Sequence, residues 1–120
     1  MALGPEDILH LNVARFLRVA APTLLWWHTP NGGKRHAGEA RKFKDMGARA
    51  GVADLCFVTT EGKAAFIELK ADKGRQSPSQ VQFQADCRSN NAPYAICRSI
   101  EEVAETLRGW GVELRARSVE

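Results

Sequence analysis

Nothing in these 120 residues approaches the roughly 18 consecutive apolar residues that a membrane-spanning helix needs. The opening Met1-Ala2-Leu3-Gly4-Pro5-Glu6 also lacks the basic-then-apolar order of a secretory signal. Cysteine is scarce. Cys56, Cys87 and Cys97 are odd in number and show no CxxC spacing, which argues against a disulfide framework or a thiolate zinc site and favours a reducing, cytoplasmic compartment. Internal repeats, low-complexity segments and linkers are missing as well. With 44% hydrophobic residues, the chain has enough apolar material for one core without covalent or metal staples. The expectation is one domain over residues 1–120, with a tail fraying from about residue 113.

Charge of one sign is in short supply overall, at a net +3, but it is unevenly placed. Between Lys34 and Arg49 stand Lys34, Arg35, Arg41, Lys42, Lys44 and Arg49, against only Glu39 and Asp45. A solvated helix face and a contact surface for a polyanion account for such a run equally well on charge alone.

What is present is an alternation of helical and strand-like periods. Pro5 suits the first turn of a helix running to about Ala20, with Leu9, Val13, Phe16, Leu17 and Ala20 as its inward stripe, and Pro22 stops it. Leu24 to His28 reads as a short strand, and the loop Thr29-Pro30-Asn31-Gly32-Gly33-Lys34 follows. A second helix is expected over Gly38 to Met46, with Ala40, Phe43 and Met46 turned inward and Gly47 closing it. Ala53 to Thr59 and Ala64 to Lys70 are β-rich runs separated by Thr60-Glu61-Gly62-Lys63, the pattern of an antiparallel hairpin. Pro78 can start a third helix ending near Asn90-Asn91, Tyr94 to Arg98 forms another strand, and Ser99 with Glu102 caps a final helix whose inner face is Ile100, Val103, Ala104 and Leu107.

The chemistry sits on the hairpin. Strand side chains alternate, so in Phe66-Ile67-Glu68-Leu69-Lys70 the residues Glu68 and Lys70 project together while Ile67 and Leu69 face the other way. Packing gives a half-buried strand no reason to carry such a pair, because buried charge is costly unless it is paired or bound to metal. Folding the hairpin brings Asp54 to the same end. Two carboxylates, with the backbone carbonyl of Leu69 as a third donor, suit a hard cation such as Mg²⁺ or Mn²⁺, and Lys70 stands ready to hold a water or neutralise a phosphate. The residues read as a metal-dependent hydrolase.

Gly51-Val52-Ala53-Asp54-Leu55, then Phe66-Ile67-Glu68-Leu69-Lys70, then Gly74-Arg75-Gln76-Ser77-Pro78-Ser79-Gln80, in this order, resemble the VRR-NUC branch of the PD-(D/E)XK nuclease superfamily. The segment His28-Thr29-Pro30-Asn31-Gly32-Gly33-Lys34-Arg35 is similar to the loop of its small stand-alone phage and bacterial members. One departure is Ala53, where members usually carry proline; that side chain is not a ligand. The resemblance implies an α/β fold, with a restriction-endonuclease-like core of a small mixed β-sheet flanked by α-helices. It also implies Asp54 and Glu68 as metal-binding acids, Lys70 as the catalytic lysine and Gln80 as the glutamine that helps to organise the site. Glu6 matches the acid that the superfamily often places on its first helix near the metal, although a first-turn acid is also favoured by the helix dipole. For substrate contact the candidates are His28, Asn31, Lys34 and Arg35 in the loop, with Arg41 and Lys42 beyond it. His28 reads equally well as a packed strand residue. Trp26 and Trp27 are expected in the core or at an interface rather than stacked on bases.

The expected function is a Mg²⁺- or Mn²⁺-dependent endonuclease cutting DNA. The resemblance implies a homodimer acting on branched DNA such as four-way junctions. It places the protein in a bacterial cytoplasm, or that of the host if phage-encoded, with no membrane partner. The rivals are a DNA-binding module without catalysis, which needs no Asp54, Glu68 and Lys70 together, and a small phosphate-ester hydrolase, which is indifferent to charge at Lys34, Arg35, Arg41 and Lys42.

Overall fold

In the computed structural model, residues 2–30 and 37–115 are described. Asn31, Lys34 and Arg35 lie outside them, as does the tail beyond Arg115. The elements run α1 (Pro5–Ala20), β1 (Leu25–His28), α2 (Ala37–Asp45), β2 (Leu55–Val58), β3 (Ala64–Leu69), α3 (Pro78–Ser89), β4 (Tyr94–Cys97) and α4 (Ile100–Gly109). Among the described residues the strands form one mixed sheet in the order β1-β2-β3-β4. The first two pairings are antiparallel, and the last, across the α3 crossover, is parallel. This is the α/β architecture expected from the sequence.

Local chemistry explains where the elements begin and turn. Pro5 occupies the first turn of α1 beside Glu6 and Asp7, whose charges favour a helix N-terminus. Ser77 caps α3 in a reciprocal box, its hydroxyl accepting from the Gln80 amide while the Gln80 side chain accepts from the Ser77 amide. Ser99 caps α4 by accepting from the Glu102 amide, and the Glu102 carboxylate reaches back one residue further than expected, to the Arg98 amide. The β2–β3 turn closes through Thr59 and Lys63, with Gly62 at φ 80° inside it.

The sheet divides the interior in two. Leu55, Phe57, Ala65, Ile67, Leu69 and Cys97 face α1 and α4, meeting Val13, Leu17, Val103 and Leu107 in the main core. Phe66 and Tyr94, on the opposite face, pack with Ala53, Phe83 and Cys87 beneath α3. The three cysteines are free and buried. Trp26 packs against the main core under the Arg18 guanidinium, whereas Trp27 projects from edge strand β1 and is exposed.

One expectation needs correction. The inward stripe assigned to α2 is not inward: Ala40, Phe43 and Met46 are exposed, Met46 at 72%. A three-residue apolar row has helical spacing whatever covers it, and among the described residues none of these three belongs to either core. At its start the tail lies against the fold. Val112 is buried, Leu114 packs on the core, and the Arg115 amide donates to the Ala20 carbonyl at 2.8 Å, tying the chain to the end of α1.

Candidate active site

The register of the hairpin assembles the site. Leu55 pairs with Ile67, so continuing one residue toward the open end sets Asp54 opposite Glu68 on the α3 face of the sheet. The Phe66 and Lys70 amides donate across to the β4 side, to the Pro93 and Cys97 carbonyls. The Leu69 amide therefore points toward β2, where the ladder has ended, and Asp54 Oδ2 accepts from it at 2.7 Å. Asp54 thus replaces the missing backbone partner, and strand geometry directs the Leu69 carbonyl to the same side.

Glu68 has no solvent exposure, and Lys70 is 6% exposed. The Lys70 ammonium stands 3.5 Å from Glu68 Oε2 and donates to Gln80 Oε1 at 3.0 Å. Gln80 Nε2 donates to Glu68 Oε2 at 2.5 Å, and Tyr94 donates its hydroxyl proton to Glu68 Oε1 at 3.2 Å. Gln80 therefore joins three tasks in one side chain: it caps α3, holds the lysine and holds the glutamate. Burial first, and then the charge of Asp54, push the Glu68 carboxyl from its ordinary 4.5 up to about 7, against the pull of Lys70 and Tyr94. Burial, and next the Glu68 charge, push the Tyr94 hydroxyl upward too, which keeps it a donor.

The loop before β2 sets Gln80 in place. Gly51 has φ +84°, and a Cβ there would lie 2.2 Å from the Ser79 carbonyl oxygen and 2.8 Å from the Gln80 amide nitrogen, so the loop lies directly against the first turn of α3. Arg49 adds an ion pair to Asp86 at 3.0 Å and lies over the Phe83 ring at 5.1 Å.

Around this centre the remaining candidates are unequally placed. His28 ends β1, and because a carbonyl can only accept, its Nδ1 donates to the Asp54 backbone oxygen at 2.7 Å. His10, on α1, meets the His28 ring edge to face at 4.3 Å, and burial followed by His28 lowers its pKa. Glu6 reaches the rim beside Lys70: a Cβ built on Gly74 would lie 3.4 Å from Glu6 Oε1 and 3.3 Å from Lys70 Cδ. Arg41 and Lys42 are exposed on α2.

The donor chemistry fits a hard divalent cation. Among the described residues no three His, Cys, Asp or Glu side chains gather to hold a metal. Two carboxylates with backbone, water and substrate oxygens completing the shell is the usual arrangement for Mg²⁺, which rarely takes an all-protein cage. After burial, the charge of Asp54 is the next cause of the raised Glu68 pKa, and a cation between the two carboxylates would offset both.

Tyr94, Gln76 and His10 were not singled out from the sequence. Tyr94 had a signal: it is the chain's one tyrosine, at the start of a short apolar strand, and parallel pairing sets it opposite Phe66, two residues from Glu68 on the same face. His10 follows Glu6 by one helical turn.

Among solved structures, a "VRR_NUC domain protein" superposes with a TM-score of 0.70 at 20% identity, covering 92% of this chain and 90% of that one. A second, "VRR_NUC domain", gives 0.60 at 16% identity over 90% and 99%. At such identities these likenesses speak to the fold. A comparison with curated protein sequences gives no match. The VRR-NUC domain family model matches residues 11–101, so the chain belongs to the VRR-NUC family and is a nuclease domain.

Proposed function

We propose that the chain is a divalent-metal-dependent endonuclease that hydrolyses phosphodiester bonds in DNA, selective for branched structures such as four-way junctions, with residues 1–120 as one nuclease domain working as a homodimer. The observation that carries this reading is the buried Glu68, opposite Asp54 and beside Lys70, in a chain of a nuclease family.

Asp54, Glu68 and the Leu69 carbonyl would hold Mg²⁺ or Mn²⁺, with Glu6 contributing from the rim across a water. When bound, such a cation would supply Lewis-acid polarisation of the phosphate and a more acidic attacking water. Lys70 orients that water and offsets the negative charge that grows on the phosphoryl oxygens as the P–O bond to the leaving group breaks. Gln80 keeps Lys70 and Glu68 in register by bonding both. His28 braces the Asp54 backbone through Nδ1, and its exposed ring would meet a phosphate. Asn31, Lys34, Arg35, Arg41 and Lys42 supply hydrogen bonds and positive charge for the DNA backbone.

Labelled duplex, single-stranded, flap and junction DNA, each incubated with Mg²⁺, Mn²⁺ or EDTA, tests the proposal. Junction cutting that EDTA stops, and that Glu68→Ala and Lys70→Ala abolish while DNA binding persists, is the expected result. Unchanged cutting by either variant removes the mechanism. Binding without any cleavage would favour a recognition module instead, and hydrolysis confined to small phosphate esters a different substrate class.

A further inference from the structure

We infer that Tyr94, steadied by Gln76, is a positioning residue that locks the Glu68 carboxylate in the orientation that leaves an Oε1 lone pair open to a divalent cation. The inference rests on the metal site proposed above. A glutamate carboxylate turns easily about its last bond, where the torsional preference is broad. Gln80 and Lys70 both act on Oε2, at 2.5 and 3.5 Å, and two holds on one oxygen leave the plane of the group free to swing about it. Tyr94 supplies the hold on Oε1, at 3.2 Å.

A carboxylate oxygen has two lone pairs, so this bond leaves Oε1 one acceptor position. Tyr94 is itself oriented. Gln76 Nε2 uses one proton on Gln84 Oε1 at 2.9 Å and the other on the tyrosine oxygen at 3.2 Å, which directs the single hydroxyl proton to Glu68. The ring is braced edge to face by Phe83 at 6.2 Å, and Phe83 in turn meets Phe66 at 5.1 Å. Small octahedral cations demand near-ideal ligand directions, so fixing that plane governs affinity. Phenylalanine fills the same space without the hydroxyl.

The test is calorimetric titration of Mn²⁺ into the DNA-free protein at one pH, for wild type, Glu68→Ala, Tyr94→Phe, Gln76→Leu and the Tyr94→Phe/Gln76→Leu double variant, with a melting temperature for each. Tyr94→Phe should weaken Mn²⁺ binding about tenfold with the melting temperature little changed. Gln76→Leu should weaken it less, and the double variant should bind no worse than Tyr94→Phe, because Gln76 acts through the hydroxyl. Cutting by Tyr94→Phe should recover at saturating Mn²⁺ with the KM for DNA unaltered. Wild-type affinity in Tyr94→Phe, whatever its melting temperature, overturns the inference while leaving the metal site standing. Should Tyr94→Phe not fold, unchanged affinity in Gln76→Leu overturns it equally. If wild type binds no Mn²⁺, or Glu68→Ala binds as well as wild type, the metal site fails and this inference falls with it.

Discussion

Glu68 is fully buried in a protein with ample surface for charge, and its surroundings predict a pH response. Its carboxyl titrates near 7 in the folded chain against 4.5 for the free group, so between these values the folded state keeps a proton that the unfolded chain has released. Glu68 should therefore make the metal-free protein less stable as pH rises through that interval, by at most about 3 kcal/mol, offset in part by His10, whose lowered pKa acts in the opposite sense below its ordinary 6.5. Urea unfolding of the EDTA-treated protein at pH 5 and pH 8 measures this. Mn²⁺ at pH 8 should return most of the loss, and a pH-independent midpoint would contradict the account. Asp54, Glu68 and Lys70 could be found by reading the chain because strand alternation and a short turn are local rules, and together they bring these residues to one end of the hairpin. Tyr94 and His10 were not, because the bonds that give them a place in the site cross from β4 and α1. Such contacts depend on packing that no local period encodes.

Loop and helix meet at Gly51, where the space for a side chain is filled by the backbone of α3. Gly51→Ala forces a Cβ into the Ser79 carbonyl and asks alanine to adopt a left-handed φ, which alone costs about 1–2 kcal/mol. The expected outcome is a lower melting temperature and, because the first turn of α3 must retreat with Gln80, a loss of cutting larger than the loss of folded protein explains. Circular dichroism and a cleavage assay on the same sample separate the two, and full activity per folded molecule would contradict this. The hairpin, α1, α3 and α4 follow closely from turn residues, prolines and apolar rows. The reason is physical: each of those rows has the sheet or another helix against it. In helix α2 the row Ala40, Phe43, Met46 has the right spacing yet stands exposed and outside both cores. Periodicity describes a face and says nothing of what covers it.

Over the whole molecule, the basic side chains of α2 are exposed while Glu68 and Lys70 are buried, and the proposal gives the first set the holding of a polyanion and the second the cutting. Reversing Arg41 and Lys42 together to glutamate should weaken DNA binding uniformly across sequences and reduce the slope of log affinity against log salt by about 2, with Mn²⁺ affinity unchanged. Salt-dependent binding curves by fluorescence anisotropy would show it, and an unaltered slope would remove α2 from the substrate path. Edge strand β1 leaves Leu25 and Trp27 exposed, and sedimentation at micromolar concentration should return the mass of two 13.2 kDa chains, a monomer counting against the dimer. Everything in the proposed chemistry depends on a cation seated between Asp54 and Glu68. The direct measurement is anomalous diffraction from crystals soaked in Mn²⁺. The account predicts one strong peak within bonding distance of both carboxylates and of the Leu69 carbonyl. Empty density there, with the two acids turned from each other or the manganese bound elsewhere, would contradict it.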